Sequence, residues 1–381
     1  FNENVDWIAE LQSYMSAQRT AEAINQSGAF LTSLVSKLDP AVIAAVMNGN
    51  PDMTTKLLKH LNVQVIANVV NSNGAFLTKL VSNLNTTVLA NAMNQNPQMM
   101  SKLLGYLDAG VIAGVVNANG PFLVELMNRM NPQAMANAIN KNKTFLTNLV
   151  GNLNPAVLTY AINNNAAFMR GVVANLDPHT VAQPMNSPQG QDFTQRLMRN
   201  GLDPFVVADL LNNNGAFISG LLQNLNPQVI ANAVNTNGTF LTQMMTWMNN
   251  FDLVDTINNN AGVQQALTRL VGFLSGSVIA QAMNAHPEMT QAMLSAPPAG
   301  IDPAILPPIL GTANARVFIS DLLANMNAQS TVTMLTQSGN FIGNLLNRVT
   351  GGISPQVLVN AIAGPSHSGI NPRTGTPWHP S

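Results

Sequence analysis

One interval constrains this chain more than any other feature: asparagine returns every 23 residues. Asn25, Asn48, Asn71, Asn94, Asn117, Asn140, Asn163 and Asn186 mark the beat, and apolar residues hold fixed places around each of them. A period this short is the signature of a repeat array, in which a unit buries its apolar face only against its neighbours. Three residues enter before Asn212; the register resumes through Asn235 and Asn258, then slips by three again before Asn284. A passage carrying Pro297, Pro298, Pro303, Pro307 and Pro308 follows, then weaker units around Phe318 and Phe341 and a half unit near 355–362.

Each unit reads as two short helices. The first opens at Asp39-Pro40, Asn131-Pro132, Asn154-Pro155 or Asp177-Pro178. An Asp or Asn side chain there accepts a free backbone N–H, and proline at the first helical position gives up an N–H that had no partner. Apolar residues such as Val65, Ile66, Val69 and Val70 then recur at helical spacing, with a small residue at Ala44, Ala67, Ala90, Ala113 and Ala136 that lets another helix come close. The pair Asn71-Ser72-Asn73 predicts a local device: the first asparagine ends the helix in the left-handed conformation, and the second caps the next. Phe76, Leu77, Leu80, Val81 and Leu84 give that second helix its apolar stripe. Helices this short are marginal alone, so stability has to be collective.

The pattern Leu38-Asp39-Pro40-x-Val42-Ile43-Ala44, then about ten residues, then a segment such as Phe76-Leu77-x-x-Leu80-Val81-x-x-Leu84, resembles the short two-helix superhelical repeats of the MgtE-type magnesium transporter N-terminal domain and of the flagellar motor switch protein FliG. The resemblance spans Asp39 to about Asn284 and implies a right-handed stack of helix pairs. Those repeats are rich in charge and this chain is rich in asparagine, so no functional residue is carried across.

The expected fold is therefore an all-α solenoid, a superhelix of about 14 two-helix repeats. Residues 1–17 form an amphipathic capping helix; 18–363 form the array, with register slips near 187–211, 259–283 and 295–312; 364–381 form an extended Pro/Gly-rich arm.

Composition narrows the function. Charged residues are 9% of the chain and net charge is −1, so there is no basic field for nucleic acid or an anionic membrane. Solubility rests instead on neutral groups, 52 asparagines among them. With no cysteine there are no disulfides, thiolate nucleophiles or zinc–thiolate sites. No apolar run reaches the length of a membrane-spanning helix. A start at Phe1 fits an exported, processed protein, periplasmic or extracellular, as well as a truncated one.

No residue is assigned to catalysis, a cofactor or a metal. The histidines (His60, His179, His286, His367, His379) lack metal-ligand spacing, and Asp252 with Asp255 reads as helix-start complementarity rather than as a glycosidase pair. The 20 methionines could supply thioethers to copper(I), but most occupy core positions of the repeat. The expected function is a non-enzymatic structural or interaction subunit of a larger assembly. Its contacts are expected at Trp378, Ile370 and His379 of the arm and at the cluster Met244, Trp247 and Met248. The competing expectation is a carrier of an apolar small molecule, lipid or pigment, inside the superhelix, which requires a continuous cavity lined by Phe and Met.

Overall fold

The computed structural model describes residues 5–295, 297 and 299–337. The arm at 364–381, the units expected around Phe341 and at 355–362, and with them Trp378, Ile370, His367 and His379, lie outside the described residues. Among the described residues all regular structure is helical, and the helices pack in chain order: the protein is an all-α repeat solenoid. It divides into two compact units, Phe1–Val206 and Val207–Ser381.

In the first unit the helix starts are built as expected. Asp39 accepts the Ala41 N–H at 2.9 Å, Asn62 that of Gln64 at 2.9 Å and Asp108 that of Gly110 at 2.8 Å, with proline opening helices such as Pro40–Gly49 and Pro155–Asn163. Successive helices do not fold back as hairpins, however. Chain direction changes by 113° between Gly28–Val35 and Pro40–Gly49, and by 115° between Pro97–Leu104 and Ala109–Ala118. Each such corner is close to one third of a full rotation, so three helices complete a turn of the solenoid.

From Val5–Tyr14 to Pro155–Asn163 each helix consequently lies on the third one further along. Pro40–Gly49 stacks on Gly74–Asn83, Gly74–Asn83 on Ala109–Ala118, and Ala109–Ala118 on Lys143–Asn152. Because a repeat holds two helices and a turn holds three, a first helix always lies on a second helix and the reverse. The two kinds of corner therefore alternate, layer by layer, along each edge.

Stacking places the small residues where the sequence wants them. Ala21, Ala44, Ala67, Ala90, Ala113, Ala136 and Ala182 are all fully or almost fully buried. Thr159 takes that place in one repeat, and its buried hydroxyl has no partner.

The helix Val5–Tyr14, the first of the described helices, lies against Pro40–Gly49. The cap is expected to turn a polar face outward. Trp7 (59% exposed), Leu11 (40%) and Tyr14 (79%), at i, i+4 and i+7, instead make an uncovered apolar stripe, and Met15 follows it.

In the second unit Gly238–Met245 lies on Gly276–Ala285, which in turn lies on Ala313–Asn325. The proline-rich passage is tied into this unit rather than looped out. Ile301 packs with Val254, Ile257 and Val263, and Ile309, on the short helix Leu306–Leu310, packs with Val271 and Ala315.

Candidate functional site

The asparagines that set the period have a long-range role. Asn71 sits inside the helix Val63–Ser72, and its side-chain amide reaches the corner one turn further along. There its Nδ2 donates to the Tyr106 carbonyl at 2.9 Å, while its Oδ1 accepts the Asp108 N–H at 2.7 Å. The amide thus brackets the tripeptide Tyr106-Leu107-Asp108, bonding the carbonyl of its first residue and the N–H of its last. The same two bonds join Asn48 to Asn83 and Asn85, Asn94 to Arg129 and Asn131, Asn117 to Asn152 and Asn154, and Asn140 to Asn175 and Asp177. No non-glycine described residue has a positive φ, so the expected left-handed helix stop is not how these asparagines act.

The second asparagine of the pair works in the opposite direction. Asn73 stands at the cap position of Gly74–Asn83 but makes no capping bond. Its Nδ2 donates to Val69 O of its own helix at 2.8 Å and back one turn to Thr32 O at 3.4 Å. Asn96, Asn119 and Asn142 repeat this towards Thr55, Thr78 and Ser101. Asn96 and Asn119 are buried, which makes their amide bonds structural. An Asn-x-Asn corner is therefore clamped to the layer above by one residue and to the layer below by the other.

The clamps survive every register slip. Three extra residues lie between Asn163 and its partners, taken up by the twelve-residue helix Pro188–Arg199 and by Gly201 at φ 85°. Asn163 still bonds Gly201 O at 2.8 Å and the Asp203 N–H at 2.9 Å. In the second unit Asn212 reaches Trp247 and Asn249, Asn235 reaches Phe273 and Ser275, Asn258 spans the proline-rich passage to Gly300 and Asp302, and Asn284 reaches Asn325 and Asn327. His286 stands where a second asparagine belongs, and its Nε2 lies 2.7 Å from Thr242 O. Its register, two residues after Asn284, was the available signal for that role.

The clamped tripeptides turn their middle residue inward: Leu84, Leu107 and Met130 line a cavity of about 490 Å³ in the first unit. Its wall also includes Met47, Leu80, Met93, Leu103, Phe122 and Phe145, and it holds no charged residue. From Ala21 to Val115 the buried apolar residues are all Ala or Val; the larger side chains are only half-buried because they border this lumen. Further along, Leu126, Met127, Met130, Phe168 and Val172 pack into a buried cluster, and Phe168 and Val172 are not on the lumen wall. Protein interiors are close-packed, and a dry void of this size would cost on the order of 10 kcal/mol.

Trp247 is exposed (54%), with Met244 and Met248 half-buried beside it. Met248 holds the register position whose counterparts Leu84, Leu107 and Met130 face the first unit's lumen. Tyr106 and Phe273 are exposed at the same register position as Trp247, where the backbone carbonyl is gripped. Asp252 accepts from Asn249 Nδ2 and Asp255 from Asn259 Nδ2, each at 2.6 Å, within their own helix and cap. No three His, Asp or Glu among the described residues come together as metal ligands. The Thr180 hydroxyl, bonded at 2.8 Å, holds the Asp177 carboxyl below its ordinary 3.8, with help from the His179 N–H. No described helix is by itself long and apolar enough to cross a membrane.

No protein-family model matches the chain, and no curated protein does.

Proposed function

We propose that this protein is a non-enzymatic structural subunit that works by associating with copies of itself. The observation that carries this reading is the exposed stripe of Trp7, Leu11 and Tyr14 on the helix Val5–Tyr14. From Val5–Tyr14 to Pro155–Asn163 each helix rests on another helix three along, and a helix of the same kind from a second copy is the shape that fits against this stripe. Low charge and a neutral amide-rich exterior remove the repulsion that keeps copies apart. The Pro/Gly-rich arm at 364–381, with Trp378, Ile370 and His379, offers a further contact on its composition.

Sedimentation of the full chain over a range of concentrations tests the reading. Wild type is expected to show multiples of the 40.5 kDa chain, and Trp7→Glu with Leu11→Glu a single chain with unchanged far-ultraviolet circular dichroism. A single-chain mass for wild type at every concentration overturns it. Deleting 364–381 should weaken association and leave helical content intact.

The Met- and Phe-walled lumen favours a second reading, compatible with the first, in which the solenoid carries an apolar small molecule.

A further inference from the structure

The lumen says what kind of molecule it takes. Its wall runs from Met47 to Leu149. One turn of the solenoid corresponds to the 35 residues between Asn71 and Tyr106, so the wall spans about three turns. Stacked helices lie roughly 8–10 Å apart, which makes the lumen about 25–30 Å long. A volume of about 490 Å³ drawn out over that length is a narrow tube.

Its chemistry is as restrictive as its shape. The polar residues on the wall are Asn94, Asn119 and Asn142, and the Nδ2 of each already donates to backbone carbonyls: Asn94 to Arg129 O, Asn119 to Val115 O and Thr78 O, Asn142 to Ala138 O and Ser101 O. A carboxylate or phosphate drawn inside would meet no cation on that wall, and at Asn119 and Asn142 both amide hydrogens are already engaged, so its desolvation cost would be heavy. Met47, Met93, Met99, Met100, Met130 and Met135 supply flexible thioether walls that adapt to a bending chain.

We infer that the first unit sheathes a single linear hydrocarbon chain, the acyl or isoprenoid tail of a lipid, threaded along the axis with its polar group left outside the wall. This site is independent of self-association: the stripe on Val5–Tyr14 is not part of the lumen wall.

The test uses the delipidated full chain and displacement of a fluorescent polyene fatty acid. Saturated fatty acids of eight to eighteen carbons serve as competitors, with a long-chain isoprenoid alcohol and a rigid sterol alongside. Affinity is expected to climb about fourfold per added methylene until the tube is filled, and then to level off. Comparing the longest acid with the isoprenoid alcohol separates the two tail sources, and the sterol should displace at least tenfold less well. Leu103→Trp, which plugs the tube, should lower affinity at least tenfold while circular dichroism stays unchanged. Absence of saturable binding, affinity indifferent to chain length, a sterol that competes as well as the best acid, or a folded Leu103→Trp variant that binds like wild type each overturns the inference. Should that variant fail to fold, the chain-length series on wild type decides.

Discussion

Replacing Asn71 separates two explanations of the repeat's commonest residue. If it ended its helix locally in the left-handed conformation, glycine would serve as well or better, and Asn71→Gly would be harmless. The structure instead gives Asn71 two bonds to a corner one turn away, at 2.9 and 2.7 Å, from within helical backbone. Each such bond contributes about 1 kcal/mol net, so Asn71→Ala should cost about 2 kcal/mol. Asn71→Gly should cost about 3 kcal/mol, because glycine inside a helix loses roughly another 0.5–1 kcal/mol relative to alanine. Asn68→Ala, at an exposed position in the same helix, should stay within about 0.5 kcal/mol of wild type. Urea denaturation gives the order of the variants. Amide exchange gives the location: the Asp108 N–H, 37 residues away, should lose protection in both Asn71 variants and keep it in Asn68→Ala. Asn71→Gly at least as stable as Asn71→Ala, with Asp108 still protected, would refute the clamp.

Two further outcomes follow from single side chains. Thr159 stands at the buried small-residue position with an unpartnered hydroxyl, so Thr159→Val should raise stability by about 1 kcal/mol, visible as a higher melting temperature. The depressed Asp177 carboxyl contributes stability that is present above its ordinary 3.8 and is lost as pH falls through the lower folded value. Thr180→Val should move the Asp177 titration, followed by carboxyl NMR, back up towards 3.8 and remove that part of the acid sensitivity.

Much of this architecture was legible from residues alone, for identifiable reasons. Asp39-Pro40 and its counterparts are local signals, read within one turn of helix, and they cap as expected. Ala44, Ala67 and Ala90 recur because a close approach recurs, and they are buried. The three-helix turn was hidden because a 23-residue period fixes how long the helices are and not the angle at which one leaves the next. The asparagine clamps were hidden for a subtler reason: asparagine is favoured both at helix ends and wherever an amide must bridge two backbones, so composition at Asn71 and Asn73 fits either use. The lumen escaped because Leu80, Met93 and Phe122 look alike in sequence whether they meet across the axis or leave a passage between them.

The mismatch between two helices per repeat and three per turn reaches beyond folding. A molecule lying lengthwise on one edge of the first unit meets the Asn-x-Asn kind of corner only on every other layer, with the tripeptide kind interleaved between. Like sites along that edge are thus two layers apart, and two different binders could share it side by side, each keeping its own rhythm. Doubling the spacing in this way asks for no change in the repeat itself; it is arithmetic carried out by the coil.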